Sequence, residues 1–190
     1  MNLEELMERL HLPWEARRQV LDEQIGKKEY GAFKDKFYQD MEQHEIYNGR
    51  VDFQTFHDII MKRYRCLSGQ GNLFECSFFQ NSIESMLLFY EMGEEDILAF
   101  YEEAYAVLRG KGFKLIYLDS DRIRENLLHI KKERSDESGV EMWFPLMLNF
   151  LRESPYGKAH DYQGMEDVVA HFTRRRRLEI RILKEIVRED

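Results

Sequence analysis

Apolar residues recur every three or four positions along most of this chain, the period of a helix with one buried face. Leu3, Leu6, Met7 and Leu10 open the pattern behind Asn2, which is placed to cap it. The helix so predicted covers residues 2–24, broken by a turn at His11–Pro13 and restarted at Trp14, and Gly26 ends it. A further helix, from about Lys28 to Gln43, carries Tyr30, Phe33, Phe37 and Met41 on one stripe, which reads as core or dimer interface. Asn48-Gly49 is a turn signal, and from Asp52 a helix begins with Phe53, Phe56, Ile59, Ile60 and Tyr64 in register.

The pattern changes at Ser68–Asn72, a loop by composition. Leu73–Phe79 is a short, nearly continuous apolar run and predicts a buried strand, as does Lys114–Leu118. Between them, Asn81 followed by Glu84 predicts a capping box for a helix through Ile83, Met86, Leu87 and Tyr90. Gly93 ends that helix, and Glu94, Glu95 and Asp96 put negative charge at the start of the next, which runs to Arg109. After the second strand, Asp119-Ser120-Asp121 turns into a helix through Lys132; Met142–Leu151 is helical, Ser154–Lys158 is a loop, and a long helix runs from about Gly164 to the end. Strand, two helices, strand, helix predicts a helix-rich α/β fold with a small parallel sheet. The domain reading is a helical segment over residues 1–45 and an α/β domain over 46–190.

Composition narrows the function classes. At 190 residues, with 43% hydrophobic and 13% aromatic residues, the chain can bury a core and is no disordered tail. The net charge of −8 argues against a general nucleic-acid binder, which needs a basic surface. Cys66 and Cys76 form no C-x-x-C pair and read as reduced core or boundary thiols. The N-terminus MNLEELMERL is acidic and amphipathic, unlike a signal peptide, and no run approaches the roughly 18 apolar residues of a membrane span, so a cytoplasmic protein is expected. Six scattered histidines give no metal-ligand spacing, and no G-x-S-x-G elbow is present.

From about Ile46 to Ile186 the chain resembles bacterial P-loop kinase-like proteins related to thymidylate and deoxynucleoside kinases. The matching pieces are Tyr47–Val51, Phe74–Asn81, Leu115–Asp119 with the helix after it, Ser154–Lys158 and the final helix. The resemblance implies a sheet of the P-loop kinase type, yet the first strand and the phosphate loop are missing. No G-x-x-x-x-G-K-[ST] stretch exists; Ser68-Gly69-Gln70-Gly71 lacks the Lys-Ser/Thr pair, so the chain is not expected to act alone as an ordinary kinase of this class. In that fold the missing strand would lie between the two present. The two strands then pair directly, or helices and a second copy cover the opening, and a homodimer is expected.

By the same resemblance Glu75, Gln80 and Asn81 are candidate substrate or metal contacts, and Lys132, Arg134, Lys158 and the run Arg174–Arg177 are candidate phosphate contacts. Each has a plain alternative. Glu75 also fits a carboxylate paired at a strand end. Four successive arginines point around a whole helix circumference and equally suit salt bridges. Two functions stand: a non-catalytic, partner- or ligand-binding scaffold, or a phosphotransferase using ATP and Mg²⁺ whose phosphate site comes from a partner chain or a rearranged basic cluster.

Overall fold

The computed structural model describes residues 44–68, 73–135 and 139–187. The helices expected over 2–24 and 28–43, with the Tyr30 stripe, lie outside the described residues. The chain divides into two units at residue 45, and the helices described below belong to the second, Ile46–Asp190.

This unit is built from helices: α1 (Phe53–Cys66), α2 (Gln80–Glu84) running into a π-turn (Ser85–Phe89), α3 (Glu94–Leu108), α4 (Ile123–Glu133), α5 (Trp143–Glu153), α6 (Pro155–Ala159) and α7 (Met165–Ile182), which also ends in a π-turn (Leu183–Val187). Their starts follow from local chemistry. The Asp52 carboxylate accepts from the Thr55 amide at 2.9 Å and caps α1. Glu94, Glu95 and Asp96 fill the first turn of α3 behind Gly93, as the charge pattern predicts. Asp167 accepts from the amides of Gln163 (2.8 Å) and Gly164 (2.9 Å), closing the start of α7.

The middle of the unit is α2 with its π-turn. Every residue from Ser82 to Leu88 is buried, so this short rod is surrounded on all sides. Leu87 faces a core made with Phe56, Ile83, Ile97 and Tyr101, whereas its neighbour Leu88 faces a second core with Leu127, Phe144, Leu151 and Val168. Long α7 spans both: Val168 belongs to the second core, Leu178 and Ile182 to the first. Each such buried side chain contributes about 1.5–3 kcal/mol relative to leaving it in water.

The expected parallel sheet is absent. Among the described residues there is no β-strand, and the one β pairing is an isolated antiparallel bridge between Ser135 and Glu141. The reason at Leu73–Phe79 is local. The chain bends from Glu75, with Cys76 in the left-handed region (φ 61°). Phe78 and Phe79 then turn into an aromatic cluster with Tyr101, at ring separations of 5.2 and 5.6 Å. Tyr101 Oη donates to the Phe78 carbonyl (2.7 Å) and Tyr64 Oη to the Ser77 carbonyl (3.2 Å), occupying acceptors that a ladder would use. Apolar continuity here reflects an aromatic plug. Lys114–Leu118 belongs to no helix or strand; its side chains alternate between exposed and half-buried, but no β pairing among the described residues reaches it.

Smaller expectations also shift. Ser154–Lys158 is no loop; Ser154 caps α6 by accepting from the Gly157 amide at 3.0 Å, with Pro155 in the first turn. Asn81 lies inside α2 instead of capping it, and Glu84 turns away from the helix start. Both cysteines are exposed free thiols. No helix among the described residues is long and apolar enough to cross a membrane.

Candidate functional site

The residue type that dominates the interior chemistry is charged. Glu84, at the end of α2, is 9% exposed and faces two side chains of α7: His171 Nε2 at 2.6 Å and Arg175 Nη1 at 2.5 Å. Arg175 also reaches Glu179 at 3.1 Å, one turn further along α7. Glu179 in turn accepts from the phenol of Tyr117 at 2.7 Å. His171, Arg175 and Glu179 stand four residues apart and share one face of α7, which is why three polar side chains line up between the two cores. Burial opposes ionisation of Glu84, but the hydrogen bond and charge of His171 and the guanidinium of Arg175 outweigh it and hold the carboxyl below its ordinary range. At Glu179 burial prevails over Arg175 and Tyr117, and its carboxyl is pushed up.

This ladder positions the segment Phe113–Leu118, which lies outside any helix or strand. Phe113, Leu115 and Tyr117 pack against the first core, Phe113 on Phe78 (5.2 Å) and Tyr117 on Phe79 (5.8 Å). Behind it, Arg176 of α7 grips Asp119 with two parallel bonds, Nε to Oδ1 at 2.6 Å and Nη2 to Oδ2 at 2.7 Å. The segment is therefore pinned at Tyr117 and at Asp119 by successive turns of one helix. The alternate side chains point outward: Ile116 is 82% exposed and Leu118 90%. Among the described residues, no backbone hydrogen bond involves residues 113–119.

The phosphate-contact candidates are dispersed. Arg174 lies over the Tyr156 ring at 4.8 Å, Arg175 and Arg176 make the pairs above, and Arg177 meets Glu94 at 2.5 Å. Lys158 pairs with Glu153 at 3.3 Å, and Arg134 lies over Trp143 at 5.8 Å. Lys132 is exposed on the last turn of α4. Glu75, expected in a buried strand, is exposed in a bend; Gln80 Oε1 accepts from the Cys76 thiol at 3.3 Å, and the Asn81 carbonyl accepts from the Ser85 hydroxyl at 2.9 Å. No bond among the described residues joins Glu75, Gln80 or Asn81 to the basic candidates. No group of three or more His, Cys, Asp or Glu among the described residues is arranged to hold a metal ion.

Sequence reasoning missed the Glu84–His171–Arg175–Glu179–Tyr117 ladder. Part of it was visible, since His171, Arg175 and Glu179 recur at four-residue spacing; the partners Glu84 and Tyr117 are 87 and 62 residues distant from the residues they meet. Comparisons with protein-family models, curated proteins and solved structures return no match.

Proposed function

We propose that the protein is a non-catalytic binding protein that associates with a second copy of itself through the Phe113–Leu118 edge. The observation that carries this reading is an apolar segment whose side chains alternate between half-buried and exposed, with no backbone hydrogen bond among the described residues, and which α7 holds from behind through Tyr117 and Asp119. An edge of this kind invites strand pairing, and the usual safeguards are sparse, since Lys114 is its only charged residue. Cross-strand contact of the two Ile116 side chains adds roughly 0.2–1 kcal/mol to the pair.

A second copy suits this edge because the edge is self-complementary. In an antiparallel pair with its two-fold axis at Ile116, Ile116 opposes Ile116, Leu115 opposes Tyr117, and Lys114 opposes Leu118. The two lysines then sit about 14 Å apart at opposite ends, beyond the screening length at physiological salt. Parallel pairing would set them side by side.

The catalytic alternative has less support. Its basic candidates are largely engaged by the chain's own carboxylates and rings, the sequence has no phosphate loop, and the sheet that the kinase resemblance implied is not found among the described residues. The pairing is tested by placing Ile116→Cys in a Cys66→Ser, Cys76→Ser background and oxidising it. An interchain disulfide in high yield is expected, since directly opposed residues in an antiparallel pair fall within disulfide reach. The same cysteine at exposed Leu128 on α4 serves as the control and should form no interchain disulfide.

A further inference from the structure

On another face, Asn48-Gly49-Arg50 lies against the first π-turn, and Asn48 and Arg50 share with Phe89 and α5 an open cleft of about 420 Å³. We infer that this cleft binds a small aromatic carboxylate, independently of any association at the Phe113–Leu118 edge. Its floor and wall are aromatic, with Phe89 and Phe150 at a ring separation of 5.7 Å, and Leu146, 69% exposed, extends the apolar surface at the mouth. A flat apolar body fits against such a wall.

The polar groups fix the charge of the ligand. Arg50 lines the cleft and makes no ion pair among the described residues, unlike Arg175, Arg176 and Arg177 of α7. A guanidinium beside an apolar wall is suited to two parallel bonds with a carboxylate. Asn149 spends its oxygen on Arg152 Nη2 (2.8 Å), which leaves its amide hydrogens to donate into the cleft. The one carboxylate of the lining, Glu153, is already held by Arg152 at 3.4 Å and Lys158 at 3.3 Å.

The backbone is arranged to keep Arg50 there. Asn48 (φ 59°) and Gly49 (φ 70°) both adopt the left-handed region, and the Asn48 amide donates to Ser85 Oγ at 3.2 Å. A Cβ on Gly49 would stand 3.2 Å from Phe89 Cβ, a tight contact, and its left-handed backbone (φ 70°) favours glycine. Phe89 closes a π-turn, a local geometry found often at functional sites.

The test is titration of the full-length protein with 3-phenylpropionate, followed by two-dimensional NMR, beside the neutral 3-phenylpropionamide. A probe of this size should bind in about the 0.1–1 mM range, with shifts centred on Arg50, Phe89 and Asn149. Arg50→Gln, at an exposed position, should weaken the carboxylate about tenfold and leave the amide unchanged, while Arg124→Gln at the distant Glu166 pair should change neither. The inference is overturned by absence of binding at about 10 mM, by equal affinity for acid and amide, by shifts centred elsewhere, or by an Arg50→Gln protein that binds like the wild type.

Discussion

The phenol of Tyr117 donates to Glu179 Oε2 across 2.7 Å, tying the Phe113–Leu118 segment to the helix behind it. Burial comes first among the causes that raise the Tyr117 hydroxyl above its ordinary range, followed by its bond to Glu179, so it remains a donor at any working pH. Together with Asp119 and Arg176, this bond decides that residues 113–119 form a fixed edge. Tyr117→Phe keeps the ring on Phe79 and removes the bond. Urea unfolding should show a loss of about 1 kcal/mol, and amide exchange at residues 115–118 should quicken.

Glu84 is the centre of the ladder, and its neutralisation has a defined sign. Its folded-state pKa lies below the ordinary value of 4.5, so it contributes stability above that value which is lost as pH falls through the lower, folded one. Asp52, Asp119 and Asp167, also held down by their bonds, act in the same direction. Glu179, pushed up by burial, acts in the opposite direction as pH falls. Glu84→Gln should cost about 3 kcal/mol at neutral pH, because Arg175 loses a buried counter-charge and His171 a buried carboxylate partner. Thermal unfolding between about pH 6 and pH 3 should then fall less steeply in the variant than in the wild type.

Gly157 gives the sharpest steric prediction. A Cβ there would stand 1.9 Å from the Leu151 carbonyl oxygen, a backbone atom with no easy way to yield. Gly157→Ala should destabilise the protein by about 3 kcal/mol or more. Gly110→Ala, where nothing lies within 4 Å, should stay within about 0.5 kcal/mol. Equal melting temperatures for the two variants would refute the close packing of α6 against the end of α5.

Absence of catalysis is tested by calorimetric titration with ATP and Mg²⁺. No heat is expected at millimolar nucleotide. Micromolar binding, weakened by Arg134→Ala or Glu75→Ala, would restore the phosphotransferase reading.

The helices were legible where their faces alternate strongly. Phe56 and Ile60 in α1, and the acidic first turn of α3, stand as the spacing predicts. The two strands were misread for different reasons. Phe78 and Phe79 are apolar because they plug an aromatic cluster, and a run of that length does not distinguish a plug from a strand. Lys114–Leu118 does have the in-and-out alternation of a strand, but pairing depends on a neighbour, and a single segment carries no information about one. The candidate site was harder still. Arg175 and Arg176 look alike in sequence, yet a rotation of one residue sends the first into the core and the second to Asp119 at the surface. Arg50 carried no signal beyond its place after Asn48-Gly49.

The central claim, association through the Phe113–Leu118 edge, is tested most directly by sedimentation equilibrium of the wild-type protein and of the double variant Ile116→Lys, Leu118→Lys. Both positions are exposed, so the variant should fold with an unchanged helical spectrum. A concentration-dependent dimer in the wild type and a monomer in the variant are predicted. A wild type that stays monomeric at all concentrations, or a variant that dimerises equally well, would contradict the account.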